Sequence, residues 1–173
     1  MITIRNLIQN IEKGQSSVSV KYIFQQLDQM YEGNKDLIQI VYCKQDNTGS
    51  TVYLKIPSAE RPGLFFDIVF WVNSKDKIKQ DTQFKVFSNS PSFAYNFSYI
   101  FNKANALLFP EKFPSAFLTM PPKVRNPLKI YSFDKHLYFG LKKLAGKNLE
   151  LLNSELSTHT PPVVLTFKEM NPK

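Results

Sequence analysis

The stretch Leu64–Val72, LFFDIVFWV, constrains the fold more than any other part of the chain. Side chains alternate along a β-strand, so Leu64, Phe66, Ile68, Phe70 and Val72 share one face and Phe65, Asp67, Val69 and Trp71 share the other. Both sets are largely apolar, and a strand of that kind has to be covered on both sides. A charged loop, Asn73–Asp81, leads to a second β-like run, Gln83–Phe87, and then to an aromatic segment opened by Ser90-Pro91. The chain's one tryptophan lies in this stretch, which reads as the core of the protein.

The segment Phe93–Phe101 supports two local structures. Phe93, Tyr95, Phe97, Tyr99 and Phe101 alternate at period two, as on a strand face. Phe93, Phe97, Ile100, Phe101 and Ala104 also make a helical stripe, and Ser90 followed by Pro91 is a good N-cap and N1 pair. The helix is the favoured reading. In either form the aromatics act as a stacking platform for bases or as core filling, and core filling is the preferred role for rings of this size.

Elsewhere the periodicity is plainer. Thr3 caps a first helix carrying Ile4, Leu7, Ile8 and Ile11, ended by Gly14. Val20, Ile23, Phe24, Leu27, Met30 and Tyr31 form the stripe of a second helix, closed by Gly33, whose apolar face is expected to meet the sheet. Leu37–Cys43 and Thr51–Ile56 flank an Asp-Asn-Gly loop and read as a hairpin. With the two later runs they give four successive strands, for which an antiparallel meander is the economical topology. Five prolines between Pro110 and Pro127 leave room for only one short turn near Ser115–Leu118. Ser132 is expected to cap a helix with Phe133, Leu137, Leu141 and Leu144 on its stripe. Gly140 weakens that helix and Gly146 breaks it, and Leu149, Leu152 and Leu156 continue as another. Pro161–Phe167 ends in a strand-like run suited to pairing with a sheet edge.

The expected fold is therefore α+β: a four-stranded, mainly antiparallel sheet with N-terminal and C-terminal helices and a proline-rich arm. Residues 1–173 form a single domain, with 109–127 as the arm and 157–173 as a C-terminal tail. A chain of 173 residues is long enough for one sizeable core.

Several chemistries are argued against. No apolar run is long enough to span a membrane, and the N-terminus lacks a signal core. The one cysteine, Cys43, sits in an apolar run and reads as a buried thiol. His136 and His159, the two histidines, are too isolated for a zinc site. No glycine lies between Gly63 and Gly140, so the central half has no phosphate-cradling loop. Asp67 has no second acid to pair with and reads as a hydrogen-bonded or solvent-side strand residue. Ser132, Asp134, His136 and Tyr138 lie on one helix and do not converge. The chain is accordingly read as a non-enzyme without catalytic residues, metal or cofactor.

The charge distribution points to partners. Residues 1–86 carry eleven Lys/Arg against nine Asp/Glu, whereas residues 87–150 carry nine against three. Lys123, Arg125, Lys129, Lys135, Lys142, Lys143 and Lys147 form the candidate polyanion contacts. Nineteen of the twenty-two basic residues are lysine, which suits diffuse attraction and not bidentate base reading. Phe109, Phe113, Phe117, Leu118, Val163, Leu165 and Phe167, on arm and tail, are the candidate interface with neighbouring chains.

The residues FDIVFW at Phe66–Trp71, FSNSPS at Phe87–Ser92 and PPKVRNP at Pro121–Pro127, followed by FDKHLYFG, resemble small structural proteins of tailed bacteriophages. The resemblance covers the second two thirds of the chain and carries no catalytic motif. It implies a neck, collar, tail or baseplate component of the virion, held in the host cytoplasm before assembly and contacting protein subunits of a larger assembly, with no membrane partner. The alternative is a sequence-nonspecific nucleic-acid-binding protein, making DNA contact through its lysine-rich C-terminal half.

Overall fold

Strand β4 (Phe65–Val72) has a partner on each side: β3 (Ser50–Pro57) along its whole length and β5 (Gln83–Ser88) along most of it. With β1 (Ile2–Thr3) and β2 (Gln39–Gln45) these make a five-stranded antiparallel sheet of order β1-β5-β4-β3-β2. The computed structural model describes residues 2–13, 17–122 and 134–172. The expected meander of four strands is present, and β1 is an addition to it. Two residues, Ile2 opposite Phe84 and Thr3 opposite Gln83, are too few to carry a periodic signal.

One sheet face is built from Val52, Leu54 and Ile56 opposite Phe70, Ile68 and Phe66, with Val86 and Phe84 beyond, all of them buried. Helix α6 (Lys135–Leu144) lies across it. Gly140 sits at the closest approach, where a Cβ would come within 2.7 Å of Phe70 Cε2. The glycine that weakens the helix locally is what lets it reach the sheet. Helix α2 (Ser17–Asn34) forms an outer layer and not the sheet cover. Its Phe24 and Tyr31 rings pack on Tyr138 and Phe139 of α6, at 6.0 and 6.2 Å between centroids. Of its expected stripe only Tyr31 is buried, because Leu137, Leu141 and Leu144 of α6 already occupy the core beside the sheet.

The aromatic segment is helical, as α3 (Pro91–Asn96) and α4 (Ser98–Lys103), and Ser90 Oγ accepts from Phe93 N at 3.3 Å. Phe93 and Phe101 are fully buried, 5.5 Å apart, with Phe101 against Phe84. This stripe fills the core. In α1 (Ile4–Lys13) Thr3 and Asn6 exchange capping hydrogen bonds, and Leu7 is buried.

Both sheet edges are occupied. Beyond β1, residues 106–108 follow β5, with Val86 N donating to Ala106 O and Leu108 N to Val86 O, each at 2.9 Å. Along β2, helix α7 (Leu149–Leu156) supplies Asn153 Oδ1 to Gln45 N at 2.9 Å. Cover of this kind opposes edge-to-edge association. Two expectations change near the C-terminus. Asp134, not Ser132, caps α6, and Ser132 and Phe133 lie outside the described residues. The run ending at Phe167 joins no strand. It has no regular secondary structure up to Thr166, whose capping box with Glu169 opens the short helix α8 (Phe167–Met170).

The two helical glycines should respond oppositely to alanine. Gly140→Ala pushes a methyl into the immobile Phe70 ring and is expected to cost about 1–3 kcal/mol. Gly33→Ala meets nothing within 4 Å and should gain about 0.5–1 kcal/mol by restricting the unfolded chain. Urea denaturation of the two variants checks both signs.

Candidate functional site

The arm folds back onto its own domain. After Phe109, a 3-10 turn (Pro110–Lys112) and helix α5 (Ser115–Thr119) carry it past β5 and α3. Phe109 and Phe113 stand against Phe87 at 5.6 and 5.3 Å, and Phe113 also meets Phe93. Phe109 holds a left-handed backbone, φ 52°, a strained conformation for an aromatic residue that the surrounding packing sustains. Of the seven residues named as candidate intermolecular contacts, Phe113 and Phe167 are buried in the chain's own core. Phe109, Phe117 and Leu118 are half-buried against it, and Leu165 is half-buried, whereas Val163 is 80% exposed. Buried side chains have no face left for a neighbour, which corrects the expectation for those two. Intramolecular cover wins because Phe87 and Phe93 present apolar surface next to where the prolines lead the arm.

Arm and tail meet at an aromatic cluster that sequence reading assigned only in part. Phe117 lies 4.8 Å from Tyr95 and 5.0 Å from Phe167, and Tyr95 is edge-on to Phe167 at 5.7 Å. Tyr95 is 53% exposed and Met120, just beyond α5, is 59% exposed. Tyr95 stands in the sequence only in the period-two alternation, because it falls off the helical stripe of its own segment.

A buried carboxylate holds the tail. Asp67 accepts from Lys55 Nζ on one oxygen, and on the other from Asn89 Nδ2 at 2.9 Å and Leu165 N at 3.2 Å. Asn89 returns its own oxygen to Asp67 N and donates to Leu165 O. Lys112 Nζ bonds Val164 O, Asn171 Nδ2 bonds Asn89 O, and Arg61 bonds Asn171 Oδ1. The tail's backbone is thus paired with side chains of the sheet and arm in place of a ladder. Asp67 is hydrogen-bonded as expected but buried, not on the solvent side.

A second buried acid, Asp134, caps α6 through His136 N at 3.0 Å and Leu137 N at 3.4 Å, while Ser92 Oγ donates to its other oxygen. His136 lies edge-on to Phe66 with Nδ1 3.6 Å from the carboxylate, and neither ring nitrogen has a hydrogen-bond partner. Serine, aspartate and histidine therefore do meet, with Ser92 supplied from α3 and missed in the sequence. Their order is wrong for a nucleophile: the hydroxyl gives its proton to the carboxylate, whereas activation requires it to face the imidazole. Tyr138 points elsewhere, to Asp28. Burial opposes ionisation of Asp134, but His136, the Ser92 hydroxyl and the Leu137 amide outweigh it and hold the carboxyl below its ordinary range.

The basic set is only partly open. Lys142 Nζ pairs with Asp28 at 3.0 Å and Lys143 Nζ bonds Lys35 O at 2.8 Å, so both tie α6 to the outer layer. Lys135 is half-buried and Lys147 is exposed. Lys123, Arg125 and Lys129 lie outside the described residues. Cys43 is buried, and burial pushes its thiol up to about 11. Among the described residues no group of three or more His, Cys, Asp or Glu is placed to hold a metal ion, and no helix is long and apolar enough to cross a membrane. Comparison with known protein families, curated proteins and solved structures finds no match.

Two tests separate these acids. Asp67→Ala removes the tail's central acceptor, and should cost about 2–4 kcal/mol and speed hydrogen exchange at Leu165. Unchanged exchange there would show that the tail is held by apolar contact alone. For Asp134 the unfolded chain binds a proton more readily than the folded one, so its contribution is full above the unfolded value of about 3.9 and is lost as pH falls through the lower folded value. Urea stability of wild type and Asp134→Asn should therefore differ most near neutral pH and converge as the pH falls through the lowered folded value.

Proposed function

We propose that this protein is a non-enzymatic structural subunit, a neck, tail or baseplate component of a tailed-bacteriophage virion, which docks on neighbouring protein chains. The observation that carries the docking role is the solvent-facing cluster where arm and tail converge. Tyr95, 53% exposed, packs on the Phe117 and Phe167 rings, and Met120 on the arm and Val163 on the tail, three and four residues from those rings in the chain, are 59% and 80% exposed. Large apolar side chains concentrated at one surface are a mark of protein contact, whereas single scattered ones are not. The occupant is a neighbouring protein subunit. The virion assignment rests on the resemblance of FDIVFW, FSNSPS and PPKVRNP to phage structural proteins. Polar groups converge at the two buried acids described above, but a nucleophile aligned with a base is missing there, since the Ser92 hydroxyl faces Asp134 and not His136.

Tyr95→Glu with Met120→Glu alters exposed positions and should leave the melting temperature within a few degrees while abolishing incorporation into particles. Cross-linking of purified particles should join Lys103 or Lys112 to another chain. Absence of the protein from particles would overturn the virion assignment. Normal incorporation of the double variant would overturn this docking surface.

A further inference from the structure

The sheet face opposite α6 is covered unevenly. Across it run three rows of laterally paired residues. Gln39, Lys55 and Asp67 form one row, Tyr42, Tyr53, Val69 and Phe87 the next, and Lys44, Thr51, Trp71 and Lys85 the last. The tail is bonded to Asp67 in the first row, and the arm packs on Phe87 in the second. Among the described residues nothing comparable is bonded to or stacked on the last row, where Lys44 is exposed and Thr51, Trp71 and Lys85 are half-buried. Trp71 has no ring partner among the described residues. Tyr53, diagonal to it, is half-buried with its ring edge to Tyr42 at 5.5 Å.

We propose that this row and Tyr53 form a binding surface for single-stranded nucleic acid, with Trp71 and Tyr53 stacking on bases and Lys44 and Lys85 meeting phosphates. Charge complementarity selects the occupant. Lys44 and Lys85 have no acidic partner among the described residues, and with strands about 4.8 Å apart they stand roughly 14 Å from each other on either side of the indole. The one acid on this face, Asp67, is buried and neutralised by Lys55. The loop leaving Trp71 carries exposed Lys75, Lys77 and Lys79, and its Ser74, Lys75 and Asp76 carbonyls are held by Ser50, Gln45 and Leu149. Its two acids are engaged: Asp76 accepts from Ser74 Oγ and Lys77 N, and Asp81 pairs with Arg5. Aromatic faces between unpaired cations suit an unstacked polyanion, because a duplex hides its base faces. Lysine without arginine at these positions favours binding without base reading. The surface is distinct from the lysine-rich C-terminal half, whose Lys142 and Lys143 are already bonded within the protein.

The lone tryptophan makes the test direct. The full chain is titrated with an oligo-dT of about fifteen nucleotides and with a duplex of equal length, at about 50 mM salt and upward. The expected result is quenching of Trp71 fluorescence by oligo-dT, weaker binding of the duplex, and, read by anisotropy of a labelled oligo-dT because the variants lack the indole, about ten-fold loss of affinity in Trp71→Ala. Lys44→Ala with Lys85→Ala, at positions outside the core, should lower the salt slope by about 1–2, while the exposed Lys147→Ala leaves it unchanged. Trp71→Phe, which keeps a stacking ring, should retain most of the affinity and guards against reading a folding defect as a binding defect. Absence of binding and quenching at low salt overturns the proposal. So does binding that prefers duplex, or that Lys147→Ala weakens as much as the Lys44 and Lys85 changes do. A protein chain found seated on Trp71 in the assembled particle would overturn it too, without touching the docking surface around Tyr95.

Discussion

Strand β4 needs apolar cover on both faces, and the two faces receive it in different ways. Phe66, Ile68, Phe70 and Val72 are met by regular structure, with α6 brought to contact distance by Gly140. Phe87, paired with Val69 on the other face, is covered by irregular chain: the proline-rich arm and its aromatic rings. A helix supplies a continuous stripe and so can bury a whole sheet face. An arm supplies side chains one at a time and covers only where it passes. The unequal burial of the two faces follows from that difference.

Apolar pattern alone does not fix where an arm and a tail lie, and two buried acids do much of that work. Asp67 accepts from Lys55, Asn89 and the Leu165 amide, so one carboxylate joins β3, β4, the end of β5 and the tail. Asp134 joins the start of α6 to Ser92 of α3. A buried charge is tolerated only when its acceptor sites are filled, so each acid specifies one arrangement of several segments and penalises the others. His136 is the exception to complete satisfaction, with both ring nitrogens unpartnered between aromatic rings.

Much of the α+β architecture was legible because it is written in periods. The two-faced pattern of Leu64–Val72, the hairpin loop with Asp46 accepting from Thr48 N and Gly49 N, and the Ser90-Pro91 helix start are all local signals. What escaped was set by distant residues. The α2 stripe did not say that α6 would stand between it and the sheet, and β1 was too short to show. The tail resembled a strand, but its backbone partners are the side chains of Asp67, Asn89 and Lys112, 98, 76 and 52 residues away. Phe93 and Phe101 fill the core, the role preferred from the sequence, since α3 and α4 turn those rings toward Phe84 and Phe113. Trp71 was visible from the outset, yet only strand register places Lys44 and Lys85 on its row.

Register also separates the two proposed surfaces. Ser88 pairs with Ile68, near the start of β4, and Asn89 and α3 follow from there. The Tyr95 cluster and the Asp67 latch thus lie toward one end of the β4–β5 pair. Trp71 and Lys85 lie toward the other, beside the Asn73–Asp81 loop. A chain docked on the Tyr95 cluster therefore leaves the Trp71 row open. Covering Trp71 would bury Lys44 and Lys85 without acids to pair them, a desolvation cost that an apolar partner has no means to offset. A polyanion supplies the missing charge, and for that reason the uncovered row and the aromatic docking cluster call for partners of different chemistry.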